Sequence, residues 1–146
     1  MKGVRFLPLR PTGKNMISIV WNQSLGKQDD PYMKRWGLIT SLFSIRIHHW
    51  FRGDDDRYFH DHNWNFWCMV LKGSYDDVSN NGIDTLRVGS IRYRKAEYSH
   101  IVKTTGCWTI VITGPKTRNF GFWVPNKSGK MVWFKAKRYF MKYGHQ

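Results

Sequence analysis

The sequence predicts an all-β protein built as an antiparallel sandwich, jelly roll or barrel. Short apolar and aromatic runs recur along the chain, and turn residues separate them at the spacing that hairpins need. Helical periodicity is weak throughout. The chain has 146 residues, which suffice for one domain with a core and are too few for two. Eight Trp, nine Phe and seven Tyr supply that core and argue against disorder.

The elements follow one another in a regular order. Gly, Pro, Asn and Asp mark turns at 53–56, 72–74, 80–82, 105–106 and 114–115. Only 31–35 and 135–142 are compatible with a short helix. The runs of strand-forming residues predict strands at 17–21, 36–40, 43–51, 57–62, 64–71, 85–88, 91–94, 98–103, 107–113, 119–124 and 131–134.

We interpret residues 1–146 as a single domain with three parts. Residues 1–35 contain Pro, Gly and mixed polar residues, and we expect them to form an N-terminal arm that covers a sheet edge. Residues 36–134 form the β-barrel, and residues 135–146 form a basic, aromatic C-terminal segment.

Positive charge is concentrated late in the chain. The formal net charge is +14, and nine Lys or Arg but no carboxylate follow Glu97. This asymmetry favours a polyanionic partner, either nucleic acid or an acidic protein. The alternative is a solvated basic surface whose aromatic rings pack inward, and no known nucleic-acid-binding signature accompanies the charge. The residues that could contact phosphates and stack on bases are Lys135, Lys137, Arg138 and Lys142 with Trp133, Phe134, Tyr139, Phe140 and Tyr143.

The cysteines and the N-terminus indicate a cytoplasmic protein. Cys68 and Cys107 lie inside apolar strand-like runs, where free cysteines usually act as small buried hydrophobes. The first fourteen residues lack the apolar core of a signal peptide. No apolar run approaches membrane-spanning length, so we expect no membrane association.

Three histidines form a candidate metal site. Residues i and i+2 of an extended strand point to the same face, so His60 and His62 can present their imidazoles to one point. His100, on a strand passing beside them, can supply the third ligand, while Asp61 faces away. Three neutral imidazoles with open positions beside them can accept water, oxygen or substrate. The alternative is a barrel whose histidines only form hydrogen bonds.

The spacing of the same histidines resembles a motif of a known protein family. His60, His62 and a glycine eleven positions later, Gly73, resemble the first cupin motif. The resemblance implies a cupin-type double-stranded β-helix, a jelly-roll barrel. The second cupin motif is matched in spacing by Gly89, Lys95, Glu97, His100 and Thr104.

One departure from the cupin pattern concerns the metal. Phe66 stands where many metal-binding cupins have a glutamate ligand, and the remaining three-histidine face is similar to the iron site of the thiol dioxygenases. The segments 32–36, 60–67, 71–73 and 108–115 look more closely like small cupin-like proteins from phages and bacteria. The resemblance therefore implies iron(II), with manganese, nickel or zinc as alternatives, and a homodimer.

The sequence does not decide which face of the strand before the histidines, residues 45–51, points into the barrel. Alternation places Arg46, His48 and Trp50 on one face and Ile47, His49 and Phe51 on the other. If the first face lines the barrel, Arg46 and His48 lie near the metal and can bind an anionic substrate or transfer a proton. If the second face lines it, His49 enters the pocket.

Other pocket residues follow from the same alternation. Phe66 and Cys68 share a face that looks into the barrel, and the aromatic cluster of Trp64, Phe66 and Trp67 is expected to build the pocket wall. For an isomerase or epimerase, Tyr58, Tyr93 and Tyr98 are close enough in sequence to transfer protons, and we assign Tyr98 to the catalytic residues.

Together these features predict a metal-dependent enzyme of dioxygenase type that acts on a small polar or anionic substrate. Two alternatives remain open. One is a metal-dependent sugar isomerase or epimerase, and the other is a non-enzymatic phage accessory protein that binds nucleic acid or an acidic protein.

Overall fold

The computed structural model describes residues 17–54 and 56–144, which confirm the all-β prediction. All strand pairs are antiparallel. The elements are β1 (Ser18–Lys27), β2 (Asp30–Ile39), β3 (Ser44–Trp50), β4 (Phe66–Ser79), β5 (Gly82–Arg87), β6 (Ile91–Arg94), β7 (His100–Lys103), β8 (Cys107–Thr113), β9 (Gly121–Pro125), β10 (Met131–Lys135) and α1 (Ala136–Tyr143).

Strand β4 joins two parts of the sheet. Its first half pairs with β8 and β6, and its second half pairs with β5 and β7. Strands β1, β2 and β3 continue the sheet beyond β8, in the order β1-β2-β3-β8-β4. His60 forms single bridges to His100 of β7 and to Phe122 of β9, and β9 pairs with β10. The candidate histidines therefore lie where β7 and β9 approach each other.

The predicted turn at 72–74 is a bend inside a continuous strand. A register shift between Val70 and Lys72 marks a β-bulge, and Gly73 has a φ of 75°. A Cβ at Gly73 would lie 2.5 Å from the carbonyl oxygen of Gly106. Glycine therefore lets β4 bend beside β8 without ending, which is the physical reason for a glycine at this position.

Residues 18–35 of the predicted N-terminal arm form regular strands that extend the sheet from the edge of β3. These residues form β1 and the first part of β2, a hairpin that joins the sheet through β3. Leu25 and Met33 point into the core, so the hairpin contributes to it directly. The short helix that the sequence allowed at 31–35 does not form there, because pairing with β1 and β3 on both sides satisfies more backbone groups than one isolated helical turn. Residues 1–16 of the arm lie outside the described residues.

The main core lies on the inner face of the sheet. Both cysteines are buried and unbridged, as expected for small hydrophobes. The buried cluster consists of Leu25, Met33, Trp50, Phe66, Cys68, Val70, Tyr75, Leu86, Val102, Cys107 and Val111.

The C-terminal helix α1 packs on β9 and β10. Phe122, Val124, Ala136 and Tyr139 form a second buried cluster. The predicted helix at 135–142 is confirmed, while residues 145–146 of the basic segment lie outside the described residues. No helix within 17–54 and 56–144 is long and apolar enough to cross a membrane.

The aromatic rings of the basic segment are engaged by the protein itself. Lys142 lies 5.2 Å from the ring centres of Phe134 and Tyr143, and Arg138 lies 5.7 Å from that of Phe134. Tyr139 is buried. These contacts favour the basic surface with inward-packed rings, and polyanion binding stays a prediction.

Candidate metal centre

An extended segment places the first two histidines. The backbone N–H of His60 donates to His100 O at 3.1 Å, and that of His100 donates back to His60 O at 2.9 Å. On the other side, the N–H of Asp61 donates to Gly121 O at 3.0 Å. The predicted regular strand at 57–62 is reduced to this short bridge, but its alternation is kept. His60 and His62 therefore share one side and Asp61 takes the other.

The three histidines converge as predicted. One ring nitrogen from each of His60, His62 and His100 lies within 4.8 Å of the other two. The Nε2 atoms of His62 and His100 are 2.9 Å apart. Two imidazoles that bind one ion at about 2.1 Å with near-tetrahedral angles place their nitrogens about 3.4 Å apart. A small movement of either ring thus fits a shared divalent ion, and the donor set is one that first-row metals accept.

A buried carboxylate orients His100. The Nδ1 atom of His100 donates to Asp77 Oδ1, and Arg94 donates to Asp77 Oδ2 at 2.9 and 3.1 Å. Burial opposes the charged form of Asp77, but the hydrogen bonds from His100 and Arg94 together outweigh it and lower its pKa. With Nδ1 protonated and held, Nε2 keeps its lone pair free toward the other rings. Metal-binding histidines commonly have such a carboxylate partner.

His60 faces two further carboxylates. Its Nδ1 atom lies 2.8 Å from Asp56 Oδ2 and 3.9 Å from Asp54 Oδ2, as ion pairs rather than aligned hydrogen bonds. Burial alone would lower the pKa of His60, but the charges of Asp54, Asp56 and Asp61 raise it to about 9. The negative field that favours a proton on His60 equally favours a metal cation beside it.

The second ligand, His62, sits in an aromatic and basic environment. Its ring stacks on Trp64 at 5.4 Å and contacts the edge of Phe66 at 4.6 Å, so these two predicted wall residues are beside it. The assignment of Trp67 to the wall is wrong, because strand alternation turns it to the outer face, where it is 52% exposed. Burial and the neighbouring positive groups, including His100 and Arg46, hold its pKa well below the usual value. His62 is therefore neutral at physiological pH, the form that binds metals.

The structure answers which face of β3 lines the interior. Arg46 is 7% exposed, and its guanidinium lies 4.9 Å from the ring centre of Trp64. Its Nε donates to Ser44 Oγ at 3.0 Å. Gly37 on β2 leaves room for the side chain, since a Cβ there would lie 3.1 Å from Arg46 Cγ. Arg46 is thus separated from His62 by a single ring.

His48 lies on the same inner face. Its pKa is far below the usual value because the ring is buried, with Arg35 and Arg46 nearby. Its Nε2 atom is buried and has no hydrogen-bond partner among the described residues. His48 is therefore a neutral imidazole with an unused polar atom.

The assignment of His49 to the pocket is wrong. His49 lies on the outer face, where it stacks on Trp108 at 4.1 Å and 14°. Pairing of β3 with β8 places His49 opposite Trp108, and alternation then points it away from Arg46 and His48.

Tyr98 contacts the metal centre through His100, whereas Cys68 bonds to Tyr75 instead. The ring of Tyr98 is 5.3 Å from that of His100 and under the Arg94 guanidinium at 4.5 Å. Burial raises the pKa of Tyr98, so its hydroxyl stays protonated. Cys68 faces the interior, but its Sγ lies 3.3 Å from Tyr75 Oη.

Asp61 anchors the histidine segment from behind. Its carboxylate accepts hydrogen bonds from Gly121 N at 2.7 Å, Arg118 Nη1 at 2.8 Å and Trp133 Nε1 at 2.8 Å. Asp61 therefore faces away from the ligands, and we expect these hydrogen bonds to hold their segment in place.

Sequence reasoning missed Asp54, Asp56 and Asp77. Asp77 had a usable signal: it follows Tyr75 by two residues on β4, so alternation gives both the same inward face. A carboxylate at an inward position of a strand usually has a buried partner. Asp54 and Asp56 lie in a loop, where no periodicity indicates direction.

We expect Asp77→Asn to weaken metal binding by about 10-fold to 100-fold, because the neutral amide no longer increases the basicity of His100. Isothermal titration with zinc or iron(II) measures the change. Asp84→Asn is the matched control, because Asp84 also pairs with Arg94 but contacts no histidine of the centre. Unchanged affinity in Asp77→Asn would show that His100 does not bind the ion.

Comparison with solved structures confirms the predicted fold. An RmlC-like cupin from Shewanella frigidimarina superposes with a TM-score of 0.51 at 16% identity, covering 64% of this chain and 85% of that one. The polyketide cyclase RemF from Streptomyces resistomycificus superposes with a TM-score of 0.56 at 14% identity, covering 75% of this chain and 79% of that one. FeII HppE superposes with a TM-score of 0.52 at 13% identity, covering 66% of this chain and 56% of that one. No protein-family model and no curated protein matches the sequence.

These similarities establish the architecture. The chain has the cupin fold, a double-stranded β-helix, with a three-histidine group that can hold a metal ion at the position the first and second cupin motifs indicated. At these identities the comparisons show the fold alone.

Proposed function

We propose that this protein is a metal-dependent enzyme of dioxygenase type that acts on a small anionic substrate. The observation that carries the proposal is the position of Arg46, a buried cation one aromatic ring away from the convergent histidines. A metal alone would fit many functions, whereas a buried cation beside it provides a place for a substrate anion.

Iron(II) is the metal we propose. Three imidazoles with open positions suit it once the ion has displaced the proton that the carboxylates favour on His60, and a structure of similar fold, FeII HppE, carries iron in its name. When bound, the ion would supply a Lewis acid and redox centre. The protein's own residues would hold the ligands in place through Asp77 and Asp56 and exclude water with the Trp64 and Phe66 rings.

A second cation extends the basic interior. Arg35 pairs with His48 across β2 and β3, and its Nε donates to Gln23 Oε1 at 2.7 Å. None of the described carboxylates pairs with it, and burial lowers its pKa to about 10. A buried cation without a counter-ion is costly unless an anion joins it. Arg35, Arg46 and His48 thus favour a carboxylate or phosphate substrate.

The unused nitrogen of His48 provides a proton acceptor. Its Nε2 atom is neutral and has no partner among the described residues. The charge of an anion bound at Arg46 would offset the burial and the positive charges that lower the His48 pKa, so His48 could then accept a proton from that substrate. Tyr98, with its protonated hydroxyl beside His100, is the matching donor.

Oxygen consumption by iron-loaded protein, screened against small carboxylic and phosphorylated acids, tests the proposal. We expect Arg46→Met to lower kcat/KM by about 10-fold to 100-fold, because hydrogen bonds to charged groups contribute about 1.5–3 kcal/mol. Metal content should not change. Arg87→Met, on the exposed surface of β5, is the control and should behave as the wild type. Turnover that is equally fast for Arg46→Met would contradict the assignment.

A non-oxidative reaction is the second candidate. His48 and Tyr98 form an acceptor and donor pair that isomerisation or cyclisation could use, and one structure of similar fold is a polyketide cyclase. Turnover that persists without oxygen would favour this candidate over the dioxygenase.

A further inference from the structure

A strip of basic side chains crosses the inner face of the sheet. Arg35 on β2 lies opposite His48 on β3, and alternation points both of them inward. Arg46, two residues before His48 on the same strand, extends the strip by one row. Met33 and Trp50, the inward pair of the neighbouring row, are buried and apolar. The strip therefore places two guanidiniums and one imidazole beside the apolar core.

The two arginines are close enough to bind one small molecule together. Arg35 and Arg46 are diagonal neighbours across the pair of β2 and β3, and such neighbours are about 7–8 Å apart at the backbone. His48 lies beside both, since the positive charges of both arginines contribute to its low pKa. Its buried Nε2 atom has no hydrogen-bond partner among the described residues. A ligand that lies between the two guanidiniums can provide that partner.

The charges around the strip leave Arg35 without a counter-ion. Asp61 and Asp77, which are each 1% exposed, already bind an arginine of their own. Arg35 donates instead to a neutral amide oxygen, and Arg46 donates to a neutral hydroxyl oxygen. A monoanion bound at Arg46 would leave Arg35 uncompensated in a medium of low dielectric, which is costly. A molecule with two anionic groups can reach both cations.

We propose that the substrate is a small acid with two anionic groups, one bound by Arg46 and the other by Arg35. This inference rests on the proposed function, because it assigns the substrate class of the same site. The planar fork of each guanidinium matches a carboxylate or phosphate group. Arg35 then selects dianions over monoanions. With both ends of the acid bound, the middle of the molecule lies beside His48, the proton acceptor.

Calorimetric titration of the metal-free protein tests the proposal. The probes are succinate, glutarate and adipate, each compared with its monomethyl ester, which has one negative charge fewer. We expect the wild type to bind the best-fitting diacid at least about 10-fold more tightly than its ester. Arg35→Met should remove this preference. Arg87→Met, which removes a cation from the exposed surface of β5, is the matched control and should keep it.

Thermal unfolding distinguishes a loss of binding from a loss of folding. An apolar side chain that replaces an enclosed charge is often neutral or stabilising, so Arg35→Met without ligand should unfold at or above the wild-type temperature. The preferred diacid should raise the unfolding temperature of the wild type, because it binds only the folded state. It should not raise that of Arg35→Met.

The outcomes separate this inference from the proposed function. Equal affinity of the wild type for each diacid and its ester would overturn the inference, as would an Arg35→Met protein that keeps the preference. No binding of any diacid up to about 10 mM would also overturn it. Diacid binding without oxygen consumption by the iron-loaded protein would contradict the dioxygenase reaction and leave the dianion site standing. Oxygen consumption that is as fast with a monoanion as with any diacid would do the reverse.

Discussion

Replacing His62 with Ala is expected to remove the bound metal. His62 supplies a neutral Nε2 atom only 2.9 Å from that of His100, and among residues 17–54 and 56–144 the imidazoles that converge there are those of His60, His62 and His100. A site left with two imidazoles and no coordinating carboxylate holds a divalent ion weakly. We expect at least about a 100-fold loss of metal affinity. This exceeds the loss expected when a carboxylate that only hydrogen-bonds to a ligand, such as Asp77, is replaced. Elemental analysis of the purified variant, with titration of the metal-free form, measures it.

His49→Ala is the control for this experiment. His49 also lies in an aromatic setting, stacked on Trp108, but on the outer face. It should keep full metal occupancy. Equal metal content in His62→Ala and wild type would contradict the three-histidine site, and loss of metal in His49→Ala would place the ion on the wrong side of the sheet.

Replacing Asp61 with Ala is expected to destabilise the protein by about 3–5 kcal/mol, the range for removing one partner of a buried ion pair. Asp61 is 1% exposed and accepts hydrogen bonds from Arg118, Gly121 and Trp133. The variant leaves a guanidinium, a backbone N–H and an indole N–H without their acceptor. Urea unfolding measures the change in the free energy of unfolding.

Asp76→Ala provides the comparison within the same fold. Asp76 accepts one exposed hydrogen bond from Thr85 at 2.7 Å, so its loss should cost no more than about 1 kcal/mol. A cost for Asp61→Ala as small as that for Asp76→Ala would mean that Asp61 does not anchor the histidine segment.

The features that sequence predicted best depend on local periodicity. The i, i+2 relation of His60 and His62 requires only an extended backbone, and the short bridges to His100 and Phe122 supply it without a regular strand. Gly73 was singled out by its spacing from His62 and as a turn residue, and the structure gives the physical reason for the glycine: a positive φ and a close approach to Gly106.

The features that sequence missed depend on pairing between distant segments. Alternation gave two faces for β3, and only the register with β8 decided that His48 points inward and His49 outward. The N-terminal hairpin was not predicted because Gly26 and Pro31 flank its turn. These residue types usually interrupt strands, so the sequence pattern does not indicate strands on either side of them. Asp77 reaches His100 across 23 positions of sequence, a distance that no local pattern reports.

Anomalous X-ray scattering from crystals grown with iron(II) or manganese tests the metal centre most directly. We expect one peak per chain, about 2.0–2.3 Å from one ring nitrogen each of His60, His62 and His100. A strong peak elsewhere on the chain, or none at this position at full metal loading, would contradict the metal centre and the enzymatic function proposed for it.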